Sequence, residues 1–267
     1  MTAEARAGRA DRNGLELYFE QSGNGDPPIV FLHPAASDHT FFAPQVTEFS
    51  ADHRVVTLDQ RGFGASSEAA DGQYRPADLA DDVAWLCSHL GLDKPFLVGC
   101  SMGGGIAVEA AARHPELASG IAVLNRSVIA NRAQDSTIRT LAEMLRGPSA
   151  AEAIEMLVNA QIGPLDPPGL GDEYRRTARS TRPHVLAAVQ EAFIDWDGEA
   201  ALATVRVPAL FTFSRPTGEY ADLDRIRQLC PQVVIGHTVG AGHFENRSVP
   251  AQLNPMIQRF LEVYIAR

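Results

Sequence analysis

The hydrophobic positions of the chain form short apolar runs that alternate with longer segments in which apolar residues recur at helical spacing. Short continuous apolar runs are typical of parallel strands that are buried on both faces of a sheet. The predicted buried strands are Ile29–Leu32, Arg54–Leu58, Phe96–Val98, Gly120–Leu124, Val207–Phe213 and Val233–Val239. Helical segments between such strands indicate βαβ units, so the chain is predicted to be an α/β protein with a mostly parallel central sheet and helices on both faces.

The clearest helix is predicted over Pro76–Leu90, where Leu79, Val83 and Leu86 share one face. Further helices are predicted over Phe41–Phe49, Gly105–Arg113, Asp222–Leu229 and Pro250–Ala266. Near the amino terminus, Leu15–Gln21 alternates apolar and polar residues, which predicts a half-buried antiparallel strand at an edge of the sheet.

The strand pattern stops between residues 127 and 203. Only helices are predicted there, over Ser136–Leu145, Ala150–Gln161, Gly171–Arg182 and Pro183–Asp195. This segment is interpreted as a helical cap inserted over the carboxyl ends of the strands, where α/β sheets bind ligands. The predicted organisation is a loose tail (1–13), an α/β core (14–126 and 204–267) and the cap (127–203).

Composition narrows the class of partner. A chain of 267 residues with 45% hydrophobic content can bury the core of one large α/β domain. The net charge of −10 argues against nucleic acid and anionic membrane surfaces, because both select for Lys and Arg. The three cysteines are widely spaced, which indicates neither a disulfide framework nor a zinc site.

The cellular location is predicted from the absence of targeting and membrane-spanning segments. Residues 1–13 lack the apolar core of a signal peptide, and no apolar run approaches the roughly 20 residues of a membrane span. We therefore expect a cytoplasmic protein that acts on a small molecule, without nucleic acid or membrane partners. A homodimer is left open as the oligomeric state.

Residues 99–103 read Gly-Cys-Ser-Met-Gly, a G-x-S-x-G sequence between a predicted strand and a predicted helix. A nucleophile elbow requires this context. Gly99 and Gly103 allow the strand and the helix to approach closely, which places Ser101 at the carboxyl end of the strand. The N–H of Met102 is then expected to face the space in front of the Ser101 hydroxyl, where it can stabilise an oxyanion.

Four motifs in sequence order make the chain resemble the α/β-hydrolase family over nearly its whole length, apart from the cap. They are Leu32-His33-Pro34-Ala35, residues 59–66 (Asp-Gln-Arg-Gly-Phe-Gly-Ala-Ser), the elbow, and residues 240–244 (Gly-Ala-Gly-His-Phe). The resemblance implies that Ser101 is the nucleophile and that His243 is its base. It also implies an oxyanion hole formed by the N–H groups of Met102 and Ala35, although Pro34 stands where the family more often has glycine.

The third member of the triad departs from the family pattern. The usual acid position, a few residues beyond the strand that begins at Val207, falls on Thr217, which cannot carry the charge. The alternative position, at the end of the preceding strand, falls on Asn125, an amide. Glu219 would restore a carboxylate if its loop folds towards His243. Position favours Asn125 and charge favours Glu219, and a site with no third member is also left open.

Several side chains near the motif loops and in the cap are candidates for lining a substrate pocket. They are His33, Phe41, Phe42, Met144 and Trp196. His33 is more typical of a residue that shapes its loop than of a proton carrier, and the helix core explains the two cap residues equally well. The resemblance implies no metal and no organic cofactor.

The leading hypothesis is a serine hydrolase that cleaves a small, fairly apolar carboxylic ester or lactone through an acyl-enzyme. A second hypothesis keeps Ser101 and His243 but uses them for proton transfer in a lyase or isomerase, which forms no acyl-enzyme. A third is a non-catalytic small-molecule receptor on the same fold. The intact serine, histidine and glycine elbow argue against the receptor.

Overall fold

One eight-stranded sheet organises the fold. The computed structural model describes residues 5–129, 132–214 and 221–265. Within them the strands are β1 (Arg6–Arg12), β2 (Leu15–Ser22), β3 (Ile29–Leu32), β4 (Val55–Leu58), β5 (Phe96–Cys100), β6 (Gly120–Leu124), β7 (Ala209–Phe213) and β8 (Val233–His237). They lie in the order β1-β2-β4-β3-β5-β6-β7-β8. The strands from β3 to β8 are parallel, and β1 and β2 pair antiparallel.

The central strands confirm the interpretation of the short apolar runs. Every residue of β3, β4, β5, β6 and β7 is buried, as expected for parallel strands covered on both faces. β8 is only half-buried because it has a neighbour on one side alone. The apolar side chains of the central strands supply the middle of the hydrophobic core.

The prediction of a loose tail over residues 1–13 is wrong for Arg6–Arg12. This segment forms β1, which pairs with β2 across a tight turn at Asn13 and Gly14, both with positive φ (54° and 87°). β1 is mostly polar and exposed, so backbone hydrogen bonds to β2 hold it rather than burial. Hydrophobic periodicity cannot reveal such a strand. As a consequence, β2 lies inside the sheet and not at its edge.

The helices of the described residues cover the sheet. They are α1 (Ala43–Phe49), α2 (Pro76–His89), α3 (Met102–Arg113), α4 (Asp135–Arg146), α5 (Ala150–Gln161), α6 (Leu170–Ser180), α7 (Pro183–Ile194), α8 (Gly198–Thr204), α9 (Leu223–Leu229), α10 (Glu245–Ser248) and α11 (Pro250–Phe260). α2, α3, α8 and α9 form one series of neighbours, and α1, α10 and α11 form another. The predicted α/β fold class is confirmed. In the parts of the chain with described structure, no helix has both the length and the apolar character needed to cross a membrane.

Between β6 and β7 the described chain contains helices and no strand, in agreement with the pattern over residues 127–203. Helices α4 to α7, called the cap helices below, pack on one another. The sequence analysis did not predict α8, which packs on α3 and α9. The division of the chain into core and cap remains a prediction.

Candidate active site

Ser101 stands on a strained turn between β5 and α3. Its backbone has φ 51° and ψ −112°, a conformation that costs free energy for a residue with a side chain and that is typical of functional positions. The turn is possible because its flanks are glycines. A Cβ on Gly99 would lie 2.0 Å from the carbonyl oxygen of Gly103, and one on Gly103 would lie 2.0 Å from the carbonyl oxygen of Leu32. The elbow is therefore packed backbone against backbone.

The first turn of α3 supplies one candidate donor for an oxyanion. The carbonyl oxygen of Ser101 accepts from the N–H groups of Gly104 and Gly105, at 3.0 and 3.2 Å. Met102 is the first residue of the helix, where an N–H has no acceptor within the helix itself. The positive end of the helix dipole adds to the attraction for negative charge at this point.

The loop after β3 supplies the second candidate donor, Ala35, and the cap holds this loop in place. Ala36 has a positive φ of 62°, which is uncommon for alanine. The hydroxyl of Tyr174 donates to the carbonyl oxygen of Ala35 at 2.9 Å, and that of Thr177 donates to the carbonyl oxygen of Ala36 at 2.8 Å. Both side chains belong to α6, so one cap helix fixes two successive peptides of the loop.

His33 shapes the beginning of the same loop. The backbone N–H of Gln60 donates to its Nε2 at 3.0 Å, so the ring proton lies on Nδ1, which donates to the carbonyl oxygen of Pro34 at 2.8 Å. The ring is fully buried, and this burial lowers the pKa of His33. The imidazole is therefore neutral and has a structural role.

His243 lies on the loop between β8 and α10, and Asn125 ties this loop to the sheet. The Asn125 amide nitrogen donates to the carbonyl oxygens of His243 and Gly242, at 3.0 and 3.3 Å, and to the hydroxyl of Ser214 at 2.6 Å. Its amide oxygen accepts from the backbone N–H of Ser214 at 3.1 Å. These contacts join the ends of β6 and β7 to the backbone of the histidine loop.

A buried carboxyl and a cap carboxylate support the histidine loop from two further sides. Glu245 is fully buried, accepts from the hydroxyls of Thr212 and Thr238, and has its pKa raised by burial. Asp166, on the loop between α5 and α6, accepts from the hydroxyl of Ser248. Its carboxylate also packs closely against Gly242, because a Cβ on Gly242 would lie only 2.5 Å from Oδ2 of Asp166.

One cavity of about 940 Å³ brings the candidate residues together. Its lining includes Ser101, Met102, Ala35, Asn125 and His243. These residues follow the carboxyl ends of four strands, β3, β5, β6 and β8. The cap helices close it with mostly apolar side chains, among them Leu141, Met144, Leu157 and Phe193, and Trp196 joins them from the connection between α7 and α8. The cavity therefore holds a candidate nucleophile, a candidate base and two candidate backbone donors, a set that suits acyl transfer.

Comparisons with known proteins agree with this geometry. The model of the alpha/beta hydrolase fold family matches residues 27–245. The chain belongs to the α/β-hydrolase family. It is 28% identical over 263 residues to a putative carbamate hydrolase, RutD, of Pantoea ananatis, a match that covers 92% of this chain and 93% of the relative.

Solved structures show the same fold over nearly the whole hydrolase. An esterase from Thermogutta terrifontis superposes with a TM-score of 0.84 at 25% identity, covering 97% of this chain and 99% of the other. An enol-lactonase from Burkholderia xenovorans superposes with a TM-score of 0.85 at 24% identity, covering 96% and 100%. The chain is therefore a hydrolase of the α/β fold.

The predicted pocket residues divide into two groups. Met144 and Trp196 line the cavity of the hydrolase, and Trp196 is oriented by a 2.8 Å hydrogen bond from its Nε1 to Glu109. The predictions for His33, Phe41 and Phe42 are wrong, because none of the three contributes to the lining. Phe42 is buried against Phe31, with ring centres 4.8 Å apart, and Phe41 is buried against Phe244, at 5.0 Å.

The reason for this error is local. The predicted helix over Phe41–Phe49 begins as a 3₁₀ turn over His39–Phe42, and α1 proper begins at Ala43. The 3₁₀ turn directs both rings into the core. Of the other candidates, Glu219 and Thr217 lie outside the described residues.

The sequence analysis missed Tyr174 and Thr177, the cap residues that hold the Ala35 loop. They lie 139 and 141 positions from their partners in the chain. No motif or spacing indicates such a contact, since a buried tyrosine on an amphipathic helix has the pattern of an ordinary core residue.

Among the described residues, Asp38, His39 and Asp59 form a group whose side chains could approach a metal ion. Asp59 Oδ1 already accepts from the Nδ1 and the backbone N–H of His39, at 2.9 and 2.6 Å. Burial alone would raise the pKa of Asp59, but the hydrogen bonds from His39 and the Ala65 N–H, together with the nearby imidazoles of His33 and His39, outweigh it and the pKa is lowered. These contacts explain the group as a structural ion pair.

Proposed function

We propose that this protein is a serine hydrolase that cleaves a small carboxylic ester or lactone through an acyl-enzyme formed on Ser101. The observation that carries the proposal is the joint exposure of Ser101, His243 and the loops of Met102 and Ala35 at one cavity. The names of the relatives, an esterase, an enol-lactonase and a carbamate hydrolase, support acyl transfer as the class of reaction.

The proposed chemistry has two halves. His243 takes the proton of the Ser101 hydroxyl while Oγ attacks the carbonyl carbon, and the N–H groups of Met102 and Ala35 stabilise the oxyanion. The tetrahedral intermediate expels the alcohol, which takes the proton from the imidazolium. Water then attacks the acyl-enzyme, loses its proton to His243, and releases the acid while Ser101 regains its proton.

The proposed site separates two roles that a triad acid usually combines. Asn125 uses its amide hydrogens on the backbone of the His243 loop and on Ser214, so we assign it the positioning of this loop. An amide cannot stabilise the imidazolium by charge, and we propose that Glu219 does so. This assignment of Glu219 rests on its carboxylate and its place in the sequence.

The direct test is labelling by a fluorophosphonate probe. We expect the wild-type protein to lose 4-nitrophenyl butyrate turnover in parallel with incorporation of one probe, and peptide mass spectrometry to place the adduct on Ser101. A folded wild-type protein that is not labelled, or a label on another residue, would contradict the proposed function. An unlabelled protein would leave proton-transfer chemistry without an acyl-enzyme as the better hypothesis.

The two candidates for the third member predict opposite responses to substitution. Glu219→Gln should lower kcat by about 10² to 10⁴ with little change in stability, because only the charge is removed. Asn125→Asp should destabilise the protein by roughly 1 to 3 kcal/mol without raising kcat, because a carboxylate would face the carbonyl oxygens of Gly242 and His243 with no hydrogen to donate. The measurements are kcat for 4-nitrophenyl butyrate and the free energy of unfolding in urea.

The opposite result has a definite meaning. If Asn125→Asp raises kcat and Glu219→Gln leaves it unchanged, the residue at the end of β6 is the orienting group of the triad.

A further inference from the structure

Arg126 places a positive charge at the cavity, and this charge has no ion-pair partner among the described residues. It directly follows Asn125 at the end of β6 and lines the same cavity as Ser101. Its Nε is fully buried and has no hydrogen-bond partner. Throughout residues 5–129, 132–214 and 221–265, no side chain or backbone group forms a hydrogen bond or an ion pair with this guanidinium.

The isolation of Arg126 is notable because acidic partners are in excess. The chain has 33 acidic and 23 basic residues, and five arginines of the cap region form ion pairs within that region. The pairs are Arg132–Asp135, Arg139–Asp195, Arg146–Glu191, Arg175–Glu155 and Arg179–Glu155. Burial lowers the pKa of Arg126 to about 10, so the group remains a cation at neutral pH. A half-buried charge that meets no opposite charge in the described part of the chain is costly, and its place in the cavity lining points to a function in binding.

The surroundings hold the guanidinium in place without neutralising it. Its Cζ lies 5.0 Å from the centre of the Phe193 ring, so that one aromatic face is beside it. Phe193 in turn packs edge-on against Trp196, with ring centres 5.7 Å apart. Gly105 makes room for this arrangement, since a Cβ there would lie 2.6 Å from the Phe193 ring. The carboxylate in the cavity lining, Asp135, is paired with Arg132.

We propose that the substrate of this hydrolase carries a carboxylate, and that Arg126 binds it while Ser101 attacks the ester or lactone carbonyl. A guanidinium presents donors in a planar fork that matches a carboxylate and is more weakly hydrated than an ammonium group. The rest of the cavity is mostly apolar and suits the carbon chain between the two groups. This inference rests on the proposed function.

The test uses two pairs of esters in which only the charge differs. The first pair differs on the acyl side: mono-4-nitrophenyl adipate carries a free carboxylate, and methyl 4-nitrophenyl adipate carries a methyl ester in its place. The second pair differs on the alcohol side: 4-butyryloxybenzoate carries a carboxylate, and 4-butyryloxybenzamide carries a neutral amide in its place. We expect the wild-type kcat/KM for the anionic ester to exceed that for the neutral ester on the order of 10- to 100-fold in one of the pairs.

Two variants assign the selectivity to Arg126. Arg126→Gln should abolish the preference for the anionic ester, and Arg126→Lys should retain part of it, because a point charge replaces the planar fork. The matched control is Arg139→Gln, which removes an exposed cap arginine that is already paired with Asp195 and should leave the ratio unchanged. The ratio of two kcat/KM values is insensitive to the fraction of folded protein.

A binding measurement separates this inference from the proposed function. Free adipate should raise the Tm of the wild-type protein and of Arg139→Gln, but not that of Arg126→Gln. If esters are hydrolysed while Arg126→Gln shows the wild-type ratio in both pairs, the carboxylate site is wrong and the hydrolase remains. If no ester is turned over, the proposed function fails. Adipate binding that depends on Arg126 then supports the anion site, and binding that is absent or independent of Arg126 overturns it.

Discussion

Replacing Ser101 by alanine is expected to lower kcat for 4-nitrophenyl butyrate by a factor on the order of 10⁴ to 10⁶. His243→Gln should cost about as much, and the double variant should be no slower than either single variant. In the proposed mechanism the imidazole acts only through the Ser101 hydroxyl, so removing either group leaves nothing for the other to do. The measurement is kcat of the three variants, corrected for spontaneous hydrolysis.

The control for this prediction uses the same substitutions at the surface. Ser88→Ala replaces an exposed serine of α2. His184→Gln replaces an exposed histidine that contacts Glu68. Both should retain wild-type kcat. If the two active-site substitutions instead multiply in the double variant, Ser101 and His243 act independently and the proposed acyl-enzyme mechanism is wrong.

Gly103→Ala is expected to destabilise the protein by about 3 kcal/mol or more, which lowers Tm on the order of 10 °C. The added Cβ would lie 2.0 Å from the carbonyl oxygen and 2.6 Å from the carbonyl carbon of Leu32. Both atoms belong to the backbone of a buried central strand, so neither can move cheaply. The first turn of α3 would have to shift away from β3, and the Met102 N–H would shift with it.

The matched control is Gly163→Ala, in the loop after α5. A Cβ there meets no atom within 4 Å, and the residue does not have a left-handed backbone. Thermal unfolding of both variants, with the rate of fluorophosphonate labelling below Tm, measures stability and elbow geometry together. Equal Tm values for the two variants would show that the close contact at the elbow does not constrain the residue at position 103.

Much of the fold could be predicted because its information is local. The central strands are continuous apolar runs, and the elbow is a five-residue motif whose glycines are required because a Cβ at either would lie 2.0 Å from a backbone oxygen. Strand β1 could not be predicted, since a polar edge strand is held by its neighbour and has no hydrophobic pattern of its own.

The candidate site shows the same division. The motifs that contain Ser101, His243, Met102 and Ala35 are visible in the sequence, and the sheet brings all four to one cavity. Periodicity indicates that Phe41 is buried but not against which residue, so its assignment to the pocket was wrong. Which side chains line the cavity depends on how distant elements pack.

The sequence by itself determined most of the succession of strands and helices, the serine turn between strand and helix, and the residue types available for chemistry, because each depends on neighbours within a few positions. Only the tertiary structure decided that Tyr174 holds the Ala35 loop, that Asn125 holds the His243 loop, and that Arg126 lines the cavity with no partner among the described residues. Contacts between residues more than a hundred positions apart leave no periodic signal in the chain, and the absence of a partner for a charge can be seen only when all its neighbours are in place.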